Sequence, residues 1–401
     1  MLNHNLFCDL ARVFFVSVGG RSAMQRSVKA YQVGSTPTPR TMKNNIGNYT
    51  HQVENHDKFI RFDLTEGNCW FRDKISEWNK AINISDVIHY PDEKIISVKK
   101  LLSRWLHVKQ NNITIGSGSD ELIEMIPKIF IKQKDKVLTV APSFFRFIES
   151  SERAGAKITT VKLDKDSYFE WDNLTIKGFL KKAKDKKIKL IWLTSPNNPT
   201  GTEVPKQILL EIIRLGKIVV IDKVLNGFTK ELREISQLIW DNPNLIVLSS
   251  FSKTFGLPGL RFGFAISAQD KIEVMEKRRL PFNVSGPSLF IVEKLLQSLL
   301  SGEVKMGGAF NFFQERIFFE EQIKKLKNIR LASNSKINFV LLQTVGRLNL
   351  FKKLVEKGVL VTDLNQTIGI KNKNFVRVTL RDRQNNQILL KALKKIDNHF
   401  H

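Results

Sequence analysis

Lys253 stands in the run SSFSKTFGLPGLRFGF, residues 249–264, among small and apolar neighbours and with Arg261 eight positions on. A lysine amine attacks a carbonyl only when neutral, and apolar surroundings or nearby cations lower its pKa toward that state. Arg261 suits both needs of such a site. It adds a positive charge, and its guanidinium fork can hold a phosphate, with the hydroxyls of Ser250 and Ser252 close to the same oxygens. A carbonyl compound that carries a phosphate and binds Lys253 as an imine describes pyridoxal 5′-phosphate. The plainer reading is a surface lysine in a glycine-rich loop, because lysine is abundant in this chain. The other motifs decide between them.

Open α/β sheets bind ligands at the carboxyl ends of their strands, so chemistry is expected where apolar runs stop. One such run ends in GSGSDELIEMI, where Gly116 and Gly118 permit close backbone approach and a helix starting near Ser119 and Asp120 directs its free N–H groups at an anion. Ser119 or Asp120 could equally be a simple helix cap. In PSFFRF, Phe144 could lie flat on an aromatic ring or be one more core aromatic. The turn SPNNPTG, residues 195–201, carries Asn198, whose amide can donate toward a ring oxygen. Asp222 closes the apolar strand IVVID. A carboxylate there needs a cation or strong donors, which a protonated pyridine nitrogen supplies, as would a helix-cap role or a salt bridge to Lys223. Far downstream, FVRVTLRDR sets Arg377 inside an apolar strand, at an alternating position that can aim it into a cleft to clamp a carboxylate.

The elements that must position these residues read as α/β. Candidate strands at 113–115, 136–141, 157–163, 189–194, 218–222, 245–248 and 261–266 alternate with helical patterns at 120–132, 145–153 and 206–215, which predicts a doubly wound, mostly parallel sheet. A helical region then runs from Pro287 to Lys327. An α+β tail follows, with strands at 337–343, 359–361 and 375–379 and helices at 348–357 and 384–396. The expected division is an N-terminal extension over 1–56, a joining segment lining the substrate pocket over 57–85, a large cofactor-binding domain over 86–290, and a small domain over 291–401. With 401 residues, 42% hydrophobic, the chain can bury such cores.

The formal net charge of +25 would attract anions, but the lysines are scattered and no basic stripe interleaved with aromatics appears, so nucleic acid is not an expected partner. Cys8 and Cys69 cannot build a disulfide framework, and no Cys/His spacing suggests zinc. A reducing, cytoplasmic setting is expected. No apolar run reaches the roughly 20 residues needed to span a bilayer. Residues 1–56 are poor in acidic groups and rich in Arg, Ser and Thr, like an organellar presequence. They read better as an over-long start before Met24 or Met42, or as a flexible arm, than as an import signal.

Taken in order, GSGSDELI, PSFFRF, SPNNPTG, the aspartate-ended strand, SFSKTFGLPGLRFG and FVRVTL resemble the class I/II, fold-type I pyridoxal-phosphate aminotransferases, over Ile60 to Phe400. GSGSDELI, the YPD run at Tyr90 to Asp92, and GLPGLRFG are similar to the histidinol-phosphate aminotransferase branch. The resemblance implies a large domain with a mostly parallel seven-stranded sheet and helices on both faces, and a smaller α+β domain. Lys253 would carry the cofactor and later move the substrate's α-proton. Asp222 would pair with the pyridinium nitrogen, Asn198 would donate to the ring hydroxyl, and Phe144 would stack on the ring. Gly118, Ser119, Asp120, Ser250 and Arg261 would hold the phosphate, and Arg377 the substrate carboxylate. Tyr90 would reach the cofactor of a neighbouring subunit, which implies a homodimer.

This sequence departs from the pattern at three places. Leu225, in DKVL, replaces the tyrosine that bonds the ring hydroxyl; its loss should raise the pKa of the lysine–cofactor imine and slow catalysis or move its optimum alkaline. Thr362, in GVLVTD, replaces an arginine that recognises the distal phosphate of histidinol phosphate, and TEGNCW departs from the branch's usual pocket signature. A changed amino donor is therefore expected, with a 2-oxo acid such as 2-oxoglutarate as acceptor. Two other readings stay open on sequence alone: a decarboxylase of the threonine-phosphate type, and a degenerate, non-catalytic relative.

Overall fold

The computed structural model describes residues 58–66, 69–226, 230–305 and 312–399, and the N-terminal extension lies outside them. The described residues belong to one unit, which opens on β1 (Ile60–Arg61). Then come β2 (Ile113–Ser117), β3 (Lys136–Ala141), β4 (Lys157–Lys162), β5 (Ile188–Thr194), β6 (Ile218–Asp222), β7 (Leu245–Ser250) and β8 (Phe262–Ser267). These seven form one sheet in the order β2-β8-β7-β6-β5-β3-β4, parallel except at β8, which runs antiparallel to both neighbours. The middle strands are apolar without alternation because both faces are covered: Leu190, Ile191, Trp192 and Leu193 in β5 are all fully buried. On one face Trp192 stacks on Phe147 of the Phe145–Arg153 helix, with centroids 4.6 Å apart.

Among the described residues five more strands follow: β9 (Ile329–Leu331), β10 (Phe339–Thr344), β11 (Val359–Leu360), β12 (Thr362–Asp363) and β13 (Phe375–Thr379). An antiparallel sheet runs β12-β13-β10-β9, while β11 pairs in parallel with β1. Its two faces go to different cores. Val376 and Val378 join Val340 and Leu342 in one cluster, whereas Phe375 and Leu341 belong to the cluster that also holds the central sheet's Ile191 and Phe251. Side chains alternate along a strand, so Arg377 shares the face of Phe375 and is turned toward the large sheet.

Two sequence expectations change here. The helical region expected to reach Lys327 stops at Ser301, where Gly302 takes φ +82°, and a separate helix covers Phe312–Ile323. A left-handed residue ends a helix that apolar periodicity alone would continue. The strand expected from Arg261 begins instead at Phe262, because Arg261 has φ +48°.

Candidate active site

Three strand ends bring together N–H groups, a hydroxyl and a guanidinium, a set of donors that suits an anion. After β2, Gly118 takes φ +75°, which places the Ser119–Phe130 helix with its first N–H groups at the carboxyl edge of the sheet. Gly263 of β8 pairs with Gly116, and a Cβ on it would come within 2.4 Å of the Ser119 nitrogen, so only glycine lets the two segments meet. Arg261 lies against Gly118, where an added Cβ would be 2.4 Å from Nη2. Its guanidinium is 3.7 Å from Asp120, and Asp120 is also 3.6 Å from Nε of Arg146. The Asp120 carboxylate, which would repel a phosphate, is thus turned to two guanidinium groups, and its part in an anion site falls to its backbone N–H and to orienting Arg261. Glu121 braces the turn by accepting from the Ser117 N–H at 2.5 Å and from Asn283 Nδ2 at 2.9 Å. Ser250, fully buried at the end of β7, caps the following turn by accepting from the Ser252 N–H at 3.3 Å.

Lys253 sits in the short helix Phe251–Thr254, and its Nζ donates to the carbonyl of Leu64 at 2.6 Å. Burial lowers its pKa to about 8, with the charge of Arg377 next and Arg261 a lesser contributor against Glu66 and Asp120. Sequence spacing singled out Arg261 as the cation beside the amine. Arg377, 124 positions downstream, is the stronger of the two.

Asp222 is buried at the end of β6, with its Oδ1 accepting from the Val224 N–H at 2.8 Å. Burial first, then the charge of Asp120, pushes its pKa up to about 7 against the Val224 bond and Lys223. A salt bridge to Lys223 is not what holds it: Lys223 Nζ turns away to Glu231 at 2.8 Å. The cap role is realised, but one N–H does not offset the burial of a carboxylate. A protonated ring nitrogen is the partner that would, so the donor set fits pyridoxal phosphate.

Asn198 and Arg377, assigned to cofactor and substrate respectively, meet directly. Arg377 Nη1 donates to Asn198 Oδ1 at 2.5 Å, which leaves the Asn198 Nδ2 as its outward donor. The same guanidinium donates through Nη2 to the carbonyl of Asp63 at 2.7 Å and to Thr362 Oγ1 at 3.1 Å, and lies over Phe339. Phe144 is half-buried at the start of the Phe145–Arg153 helix, edge-on to Phe145 and Phe147. Leu225 follows Asp222 in a tight turn and brings no hydroxyl. Tyr90 stays apart from this cluster, 81% exposed and stacked on Phe282 at 4.6 Å.

The residues that sequence reasoning missed are Asp63 and Leu64, which act through backbone carbonyls and so leave no trace in side-chain type. Thr362 was noticed only for what it replaces. Its pairing opposite Arg377 in the β12–β13 register is what gives it a partner.

The sequence profile of aminotransferase class I and II matches residues 62–393. The chain belongs to this family. Among curated aminotransferases, the histidinol-phosphate aminotransferase of Thermoanaerobacter pseudethanolicus is 31% identical over 323 residues, 80% of this chain and 88% of that protein. Two solved structures share the fold at 20% identity and a TM-score of 0.72: the histidinol-phosphate aminotransferase from Sinorhizobium meliloti in complex with pyridoxal-5′-phosphate, and the L-threonine-O-3-phosphate decarboxylase from Porphyromonas gingivalis. The first covers 85% of this chain and 91% of that one, the second 84% and 99%. An aminotransferase and a decarboxylase superpose equally well, so the fold does not separate the reactions. Family and sequence relative do: this aminotransferase has the fold-type I architecture expected, its family is pyridoxal-phosphate dependent, and its reaction is transamination.

Proposed function

We propose that this enzyme binds pyridoxal 5′-phosphate at Lys253 and moves an amino group between an α-amino acid and a 2-oxo acid such as 2-oxoglutarate. The observation that carries the reading is an amine with a pKa of about 8 beside a buried guanidinium at Arg377. The bound cofactor supplies an electron sink for charge developing at the substrate's α-carbon. Lys253 then takes the α-proton and returns it, a role open to an amine poised near neutral pH. Asp222 accepts the ring N–H, and Asn198, steadied by Arg377, donates through Nδ2. The N–H groups of Gly118, Ser119 and Asp120, the hydroxyl of Ser250 and the Arg261 fork hold the phosphate, and Phe144 covers the ring. Arg377 holds the substrate carboxylate. Thr362 offers no charge for a distal phosphate, which supports an aromatic or other uncharged amino donor over histidinol phosphate.

The active unit we infer is a homodimer in which Tyr90 reaches the neighbour's cofactor phosphate. The division we infer is a large domain over 86–290 and a small one over 291–401, joined by 57–85; a second apolar cluster around Val340, Val376 and Leu393 supports the small domain, while Val292, Leu295 and Leu296 of the Gly286–Ser301 helix pack with the central sheet. The test is borohydride reduction of the purified enzyme followed by peptide mass mapping. Lys253 should carry the reduced cofactor, and Lys253→Ala should abolish both the label and the aldehyde absorbance. An unlabelled Lys253 overturns the reading.

A further inference from the structure

We propose that Thr362 is a positioning residue that sets the pose of Arg377. This rests on the reading of Arg377 as the holder of the substrate carboxylate. Thr362 and Arg377 stand directly opposite each other in the β12–β13 register, on the face turned toward the large sheet. The Thr362 hydroxyl donates to the carbonyl of Asp63 at 2.6 Å, so its proton is committed and a lone pair is left for Arg377 Nη2 at 3.1 Å. Nη2 also donates to that same Asp63 carbonyl at 2.7 Å. Three polar groups therefore close a ring: hydroxyl to carbonyl, guanidinium to hydroxyl, guanidinium to carbonyl. A β-branched side chain in a strand has little χ1 freedom, which keeps the Thr362 hydroxyl in this place.

The ring has a further reach. Asp63 is followed by Leu64, whose carbonyl accepts from Lys253 Nζ at 2.6 Å. One dipeptide therefore lies against both the carboxylate-binding guanidinium and the catalytic amine, and the side chains of Thr362 and Arg377 together tie it to the small sheet. Removing the hydroxyl without changing the shape leaves the Asp63 carbonyl short of one donor and Nη2 short of one acceptor, inside the site.

The experiment uses the cofactor-loaded enzyme with 2-oxoglutarate as the probe, comparing Thr362→Val, Thr362→Ser and Arg377→Lys with the parent. A hydrogen bond to a charged group is worth enough that Thr362→Val should raise KM about tenfold, with a much smaller fall in kcat. Thr362→Ser should recover most of that loss. In the cofactor-free protein, amide hydrogen exchange over residues 62–66 should quicken in the valine variant and not in the serine one. If Arg377→Lys leaves KM unmoved, the reading of Arg377 itself fails. If Arg377→Lys raises KM while Thr362→Val stays within about twofold of the parent with unchanged exchange, the role of Thr362 is overturned and that of Arg377 stands. Equal losses in the valine and serine variants also overturn it, because the hydroxyl would then not matter.

Discussion

Asp222 is the residue where burial and chemistry pull hardest against each other. Its carboxyl has a pKa of about 7 in the folded protein against 3.8 for an unburied aspartate. Below pH about 4 it is protonated in both folded and unfolded chains and burial adds no electrostatic penalty. As pH rises toward 7 the unfolded chain ionises first, so stability is lost through that window and the loss is complete above it, at about 1.4 kcal/mol per unit of difference. Asn has no such titration. The cofactor-free Asp222→Asn protein should therefore melt above the parent at pH 8, with the gap closing toward pH 4, as scanning calorimetry would record. Loaded with cofactor the order reverses in activity, where the variant should lose at least about a hundredfold because the ring nitrogen has lost its counter-charge. Equal melting temperatures at pH 8 would mean that Asp222 finds a cation within the protein.

At the scale of elements, the cradle depends on how closely β8 can approach the start of the Ser119–Phe130 helix. Gly263→Ala would put a methyl 2.4 Å from the Ser119 nitrogen and 2.5 Å from the Gly118 carbonyl carbon, both backbone atoms that cannot swing aside. Cofactor affinity should fall about ten- to a hundredfold, measured by fluorescence titration, as the N–H groups move off the phosphate. Gly259→Ala, with nothing within 4 Å of its added Cβ, should leave affinity unchanged. The sequence disclosed most of this layer. Five- to seven-residue apolar runs buried on both faces could hardly be anything but the central strands, and Lys253, Asn198, Asp222 and Arg377 announce themselves by side-chain chemistry at the ends or inward positions of those runs. What stayed hidden has a physical reason too. Strands as short as Ile60–Arg61 and Thr362–Asp363 carry no period, and Asp63 and Leu64 serve the site through carbonyls that every residue has. The Arg377–Asn198 contact spans 179 positions, and only the packing of one sheet's face on the other sheet's edge brings it about.

Across the whole molecule, an apolar surface gathers around Tyr90. Ile84, Val87 and Ile88 are more than half exposed, as is Leu280 beside the Phe282 that stacks on Tyr90. A cluster of this kind marks an interaction face. If it is the subunit interface, Ile88→Glu with Leu280→Glu should shift the mass seen by light scattering from dimer to monomer and loosen cofactor retention, since Tyr90 would lose its neighbour. A variant that stays dimeric would send the interface elsewhere. On the opposite account of charge, the molecule is strongly cationic at +25, and its most consequential cation is only half covered: the Arg261 side chain is 49% exposed. If Arg261 holds the cofactor phosphate as proposed, sulfate or phosphate from a purification buffer can take the same seat, so enzyme prepared in those salts would emerge paler and refill more slowly than enzyme prepared in chloride.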